Sequence, residues 1–495
     1  MKYLIGIDIG TSGTKSVLFD TDGKVVASAL EEYPLHQPKN GWAEQDPADW
    51  WNAVCKTLKS ITEKAAGDIV GIGLSGQMHG LVMLDENGDV IRNSIIWCDG
   101  RTSEECKIIE DIIGHDRLVE LSGNPALPGF TASKIMWVKR HEPENYAKCK
   151  HILLPKDYIR YKLTGEFATE VSDASGMQLL DVANRCWSKE ICDKLGIDMS
   201  LLGSMHESPD ITGYTTESAG KLTGLKPGIP VAGGAGDNAA AAIGTGVCSD
   251  GKAFTTIGTS GVVFVHTDKM AIDPKGRVHT FCCAVPGAWH VMGCTQAAGL
   301  SLNWFKNTLA RDLSYKEIDA EAENIAPGCE GLLYLPYLMG ERTPILDTNA
   351  RGTFFGLCAM HTREHMARAV IEGVSYSLYS CLDVLEEMGV KLSDMALCGG
   401  GAKSKLWQSI LADLYMLPIK TPVASEGPAL GVAILAGVAA GVYSSVEEGC
   451  AKTTAFNPSV SGDKAMNETY MKYYGLYKSL YPALKDSFAT LNEIR

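Results

Sequence analysis

The sequence predicts an α/β fold of two like lobes, each a mixed sheet flanked by helices, with a cleft between them. Two stretches carry that prediction. In YLIGIDIGTSGTKS, Tyr3–Ser16, the apolar Tyr3, Leu4, Ile5, Ile7 and Ile9 read as a buried strand, GTSG as a turn and Val17–Phe19 as a second strand. In AFTTIGTSG, Ala253–Gly261, another apolar strand runs into the same GTSG, and Val262–Val265 continues it. Gly10 and Gly258 lie 248 residues apart in a chain of 495, so the repeat spans half the sequence and signals a duplicated lobe. No Pro- or Ser-rich linker separates the halves, which predicts a compact hinge between an N-terminal lobe, residues 1–248, and a C-terminal lobe, residues 249–495.

Asp8 sits inside the first strand. A carboxylate among isoleucines needs its charge offset, and a cation bound beside a glycine turn would do so; a hairpin that bonds its own Asp is the alternative. Glycines let backbone N–H groups approach an anion closely, and Thr11 and Ser12 add hydroxyl donors. The second copy has Thr256 where the first has Asp8, so a metal is expected on one turn only, with a nucleotide phosphate tail between the two.

Composition narrows the partners. At 45% hydrophobic and 21% charged the chain has an ordinary globular make-up, and its net charge of −14, without Lys/Arg runs, argues against nucleic acid and anionic membranes. Ala429–Val442 is too short and too rich in glycine to span a bilayer. Fifteen scattered cysteines without a CxxC pair suit reduced thiols, and a chain that starts on a strand shows no leader, so a cytoplasmic location is expected.

Along the first half, strands are expected at 4–9, 15–20 and 24–33, followed by an amphipathic helix over 47–64 with Pro47 in its first turn. A buried strand, 69–74, ends in SGQMHG, Ser75–Gly80, where an open sheet presents side chains to a ligand. Gln77, Met78 and His79 there combine an amide, a flexible apolar group and an imidazole, which suits a polyol. Residues 81–84 and 90–97 read as a hairpin around Glu86-Asn87-Gly88, with Asp99 and Arg101 as an ion pair beyond it. The stretch from 104 to about 195 is mostly helical and includes LLPKDY, Leu153–Tyr158.

VAGGAGDNAA, Val231–Ala240, brings a strand through three glycines to Asp237 at the start of a small-residue helix. An Asp there can be a helix cap. The glycines also strip side chains from around one carboxylate, which would leave room for a substrate hydroxyl. In the second half, LCGGGAKSK, Leu397–Lys405, is a strand into a triple-glycine turn whose open backbone offers flat contact to a nucleoside, so Gly400, Gly401 and Lys405 are nucleotide candidates. GxxxxGK[ST] is absent, which excludes a P-loop. HTREH, His361–His365, matches a zinc-protease pattern, but Thr362 reads as the N-cap of a helix over 363–378 and places His361 outside it. Glu341-Arg342-Thr343-Pro344 reads as a structural ion pair beside the cleft.

These blocks, in this order, resemble the sugar kinases of the FGGY family, most closely its xylulokinases. The likeness runs from IGIDIGTSGTK through SGQMHG, AGGAGDNAA, TIGTSG and YLMGERTP to CGGGAKSKLW. It implies the two-lobed actin- and hexokinase-like (ribonuclease H-like) ATPase fold and transfer of phosphate from ATP, with Mg²⁺, to a small sugar, with D-xylulose as the expected ketopentose. Asp237 would be the catalytic base and, with Asp8, lie near the metal. Gln77, Met78, His79, Asp237 and Asn238 would contact the sugar. Thr11, Ser12, Gly258 and Thr259 would meet the phosphates, and Gly299 and Asn303 match the family's adenosine-side helix. A homodimer is plausible on the same ground. The alternatives are a kinase of another substrate, such as gluconate, ribulose or glycerol, and an actin-like chaperone or filament protein. Cys98 stands where xylulokinases usually have Asn, which puts a polar role there in doubt.

Overall fold

The computed structural model describes residues 1–423 and 426–494. Each half of the chain builds one mixed sheet. The first contains β1 (Lys2–Ile9), β2 (Gly13–Asp20), β3 (Val25–Glu32), β4 (Asp68–Gly76), β5 (Ile211–Tyr214), β6 (Pro230–Ala232) and β7 (Ala235–Gly236). Its order is β5-β6-β4-β1-β2-β3, with β7 also on β4. The second contains β8 (Lys252–Ile257), β9 (Gly261–Thr267), β10 (His279–Cys282), β11 (Trp289–Thr295), β12 (Asp394–Cys398) and β13 (Ile419–Lys420), in the order β10-β11-β9-β8-β12-β13. The plan repeats. The opening strand of each sheet pairs antiparallel with the strand after its glycine turn and parallel with a strand from later in its half, β1 with β2 and β4, β8 with β9 and β12.

The helices that matter to the site are α1 (Pro47–Thr62), α2 (Thr131–His141), α3 (Pro155–Thr164), α4 (Asp237–Gly244), α5 (Gly299–Leu309), α6 (Tyr315–Glu323), α7 (Arg363–Glu387), α8 (Lys405–Tyr415) and α9 (Gly427–Ala439). Alternation along β1 divides its side chains. Tyr3, Ile5, Ile7 and Ile9 pack on one face with Trp50, Val54 and Leu58 of α1. Leu4, Gly6 and Asp8 point to the other face, which α9 covers. A Cβ on Gly6 would lie 1.9 Å from the Ala429 carbonyl, and one on Gly73 at 1.9 Å from that of Val432, so glycine is what lets helix and sheet meet. α9 is apolar all round, as a helix buried on every side must be. It also crosses α4 closely, since a Cβ on Gly431 would meet the Ala240 carbonyl at 1.9 Å. A helix from the second half thus completes the core of the first, and its N-terminus packs against the C-terminal end of α4, where a Cβ on Gly244 would lie 1.8 Å from the Gly427 carbonyl.

Three expectations change. The predicted hairpin keeps its turn, where Asp85 Oδ1 accepts from the Asn87 and Asp89 amides, and its arms meet at isolated antiparallel bridges, Leu84 with Val90 and Leu81 with Ile95, with the Ile91 amide donating to the Met83 carbonyl, rather than as one continuous ladder. Val82–Leu84 pairs with His151–Leu153, and Ser94–Ile95 pairs with Glu44–Gln45. Each arm thus takes a longer-range partner in addition to the bridges within the hairpin. The expected Glu341–Arg342 ion pair does not form among the described residues. Glu341 instead accepts from Thr295 Oγ1 at 2.6 Å, Ser377 Oγ at 3.1 Å and the Gln296 amide at 2.9 Å, and burial pushes its carboxyl up to about 7. The helix after Thr362 runs to Glu387 rather than Leu378, because its apolar pattern continues. Asp99 and Arg101 do pair, Nη2 to Oδ2 at 2.7 Å, with Asp99 also accepting from the Ala43 amide and Arg101 stacked on Trp42.

Candidate active site

Asp237 is the first residue of α4, not its cap; Gly236 holds the cap position. Its Oδ1 accepts from the Asn238 amide at 2.7 Å and from Asn238 Nδ2 at 3.0 Å, while Oδ2 makes no hydrogen bond among the described residues. The side chain is partly open to the cleft. Burial, and then the charge of Asp8, push its carboxyl up to about 7, against the pull of the Asn238 donors. Asp8 is raised by burial as well, eased by Ser75 and Lys15, and its Oδ1 is buried without a hydrogen-bond partner.

The glycines before Asp237 do not open space, contrary to expectation. A Cβ on Gly234 would lie 2.0 Å from the Leu74 carbonyl, one on Gly233 at 2.7 Å from that of Glu207 and one on Gly236 at 3.0 Å from Met78. Their absent side chains are filled by protein, and Gly234 also takes a φ of +73°. Behind the turn lie Lys156, Asp157, Arg160, Glu170 and Asp173, all fully buried. Arg160 donates to the Gly233 carbonyl and Ser172 Oγ accepts from the Gly236 amide, so this paired cluster fixes where Asp237 stands.

The SGQMHG loop lies beside it. Met78 packs against Gly236, and His79 takes a φ of +69°. The His79 carbonyl accepts from Lys134 Nζ at 2.8 Å and Thr131 Oγ1 at 3.1 Å, both on α2. His79 Nδ1 lies 2.8 Å from the Gly176 carbonyl, which can only accept, so Nδ1 carries the proton and Nε2 keeps a lone pair. Burial, followed by the charge of Lys134, pushes this imidazole down to about 3 and keeps it neutral. Gln77 is only 2% exposed, and its Nε2 donates to Gln45 at 2.7 Å. Gln45 in turn donates to the Thr11 carbonyl, so Gln77 braces the first turn and leaves Oε1 as its one unpaired atom. Lys134 and Gly176 carry no local pattern; their link to His79 spans 55 and 97 residues.

The two GTSG turns close differently, Gly10 N–H onto the carbonyl of the fourth residue, Gly13, and Gly258 N–H onto that of the third, Ser260, both at 3.0 Å. Thr11 Oγ1 accepts from Trp97 Nε1 at 2.9 Å, which leaves its own proton free to donate; Ser12 is exposed beside it. A cavity of about 660 Å³ opens from the second turn and is lined by Gly258, Thr259, Gly299, Asn303, Gly400 and Gly401. Gly299 must be glycine, since a Cβ there would lie 2.4 Å from the Gly258 carbonyl. Lys405 lies apart from these. It bonds Gln408 at 3.2 Å and lines a second cavity of about 840 Å³ with Thr256 and Gly400.

Mirrored glycine turns on two sheets, a nucleoside-sized cavity beside one and a carboxylate with a polar loop beside the other define a two-lobed phosphotransferase of the sugar-kinase type. The chain belongs to the FGGY family of carbohydrate kinases: residues 3–244 match the N-terminal domain of that family and residues 253–440 its C-terminal domain. It is 40% identical over 499 residues to a xylulose kinase of Bacillus subtilis (strain 168), covering 100% of each chain. Its fold matches the ligand-bound xylulose kinase from Lactobacillus acidophilus with a TM-score of 0.95 at 30% identity, over 99% of this chain and 100% of that one. A gluconate kinase from Lactobacillus acidophilus matches at 0.94 with 29% identity, over 99% of each. Among the described residues no helix is long and apolar enough to cross a membrane.

Proposed function

We propose that this protein transfers the γ-phosphoryl group of ATP to the terminal hydroxyl of D-xylulose, giving the 5-phosphate and ADP. The observation that carries the reading is Asp237, with Oδ2 unbonded among the described residues and Asn238 holding Oδ1, on a turn packed by Met78 of the loop that carries the neutral His79. Phosphoryl transfer needs the acceptor oxygen held in line, charge neutralised and a group to receive the hydroxyl proton. Asp237 Oδ2 takes that proton, and its high carboxyl makes it a competent base near neutral pH. His79 Nε2 accepts a sugar hydroxyl, Met78 meets C–H faces, and Asn238 and Gln77 Oε1 complete the polar set.

ATP lies with its phosphates between Thr11, Ser12, Gly258 and Thr259 and its nucleoside in the cavity by Gly299, Asn303, Gly400 and Gly401. The residues fit Mg²⁺: Asp8 Oδ1 has no protein partner among the described residues, and the charge of Asp8 adds to burial in raising the Asp237 carboxyl, a repulsion that a cation would offset. Two carboxylates plus substrate phosphates suit this ion, and no group of three or more ligating side chains exists among the described residues. When bound, the ion neutralises charge on the transferring phosphate. Lys405 belongs to this nucleotide set only through its neighbour Gly400. A cytoplasmic homodimer completes the reading, and sedimentation tests the dimer.

The sugar itself rests on full-length likeness to xylulose kinases together with the SGQMHG loop, since fold similarity barely separates xylulose from gluconate kinases. ADP release measured across ketoses, polyols and sugar acids tests it. D-Xylulose should give the highest kcat/KM; a higher value with gluconate, ribulose or glycerol would replace it as substrate.

A further inference from the structure

The nucleotide cavity holds an acid that the phosphoryl-transfer reading does not use. Asp319, on α6, lines it together with Tyr315, Ser404 and Trp407. It is the only acidic residue among the described lining residues, and its Oδ1 is buried with no hydrogen-bond partner. Burial raises its carboxyl, and the Ser404 hydroxyl eases the rise. Ser404 is the N-cap of α8, accepting from the Trp407 amide at 3.0 Å, so Asp319 stands on the Trp407 side of the cavity. Ile257, Leu300, Leu302 and Trp407 give the cavity apolar walls, as a flat aromatic ring requires.

A buried acceptor left unpaired is unfavourable, and in this cavity the missing donor is a ligand group. A nucleotide whose phosphates lie at Gly258 and Thr259 has two kinds to offer, ribose hydroxyls and base N–H groups. The apolar walls favour the base. We infer that Asp319 Oδ1 accepts the exocyclic N–H of adenine, so that the site reads the base as well as the phosphate tail. This rests on the nucleotide half of the proposed function and not on its sugar.

Calorimetric binding of ADP and IDP to the full chain tests it. IDP carries a carbonyl oxygen where ADP carries the amine, so two acceptors would face each other. Wild-type protein should bind ADP at least about tenfold more tightly than IDP, because a site built around a donor rejects the analogue that lacks it. Asp319→Ala should bring the two within about threefold by weakening ADP, and Asp319→Asn, whose amide oxygen still accepts, should keep most of the preference. Alanine is the better helix former, so α6 is not put at risk. An ADP-to-IDP ratio that is the same in wild type and Asp319→Ala overturns the inference. So does a loss seen only between ADP and 2′-deoxy-ADP, which would assign the carboxylate to the ribose. Because binding is read and not turnover, a protein that discriminates ADP through Asp319 yet phosphorylates no sugar would sink the proposed reaction and leave this inference standing. Sugar phosphorylation with an unchanged ratio would do the reverse.

Discussion

The two GTSG turns have the same sequence, yet the first closes on Gly13 and the second on Ser260, and the strands that lead into them differ at one charged position. Asp8 is the last residue but one of the strand before the first, and Thr256 holds the same place before the second. Asp8 faces α9 and the start of α4, where its charge reaches Asp237, and Lys15 beside it pairs with Glu426 at 2.5 Å. Thr256 faces the second cavity, and the turn beyond it opens onto the nucleoside cavity instead. On the proposed reading, duplication supplied two phosphate grips, and a single carboxylate turns one of them toward metal and chemistry.

The comparison can be broken most forcefully at Asp237. Asp237→Asn keeps the shape and the Asn238 contacts but removes the base, so kcat should fall by about 10²–10⁴ while ADP affinity stays the same. Retained turnover would take Asp237 out of the mechanism. The same variant should be more stable at neutral pH. A carboxyl held near 7 when folded and near 3.8 when unfolded binds more protons in the fold, so stability falls as pH rises from 3.8 to 7, and the amide escapes that loss. Thermal melts at pH 5 and pH 8 check it.

Gly176→Ala comes next. A Cβ there would lie 2.4 Å from His79 Nδ1, which must swing away. Sugar KM should rise by about ten- to a hundredfold with ATP KM little changed, since misplacing a contact by an ångström has that scale of effect. An unchanged sugar KM would remove His79 from the sugar site. The smallest effect is on pH. In the free protein kcat/KM should fall as pH drops through about 7, where Asp237 gains its proton, and Asp8→Asn should move that limb to lower pH by removing one cause of the rise. A limb that stays in place would mean that Asp8 does not act on Asp237.

Much of this was legible in the sequence because it is local. Alternating isoleucines set β1, Pro47 set the start of α1, and the repeated GTSG set the duplication. Thr362 caps its helix as its spacing implies. What escaped depends on long-range packing. That α9 leaves its own half to cover β1 and β4 is recorded only in Gly6, Gly71 and Gly73, which look like weak strand residues until a helix backbone is seen against them. The glycines ahead of Asp237 misled for the same reason, since an absent side chain looks like open space until the neighbour that fills it is known. Lys134, Gly176 and Asp319 gave no signal at all, being single residues on helices and turns whose partners are far along the chain.

The difference between the two turns is tested most directly by the Mg²⁺ dependence of sugar phosphorylation in Asp8→Asn and Thr256→Ala, measured side by side. In Asp8→Asn the Mg²⁺ concentration for half-maximal rate should rise about tenfold or more, and in Thr256→Ala it should stay within about twofold of wild type. Equal shifts in both variants, or none in Asp8→Asn, would contradict the assignment of metal and chemistry to the first turn alone.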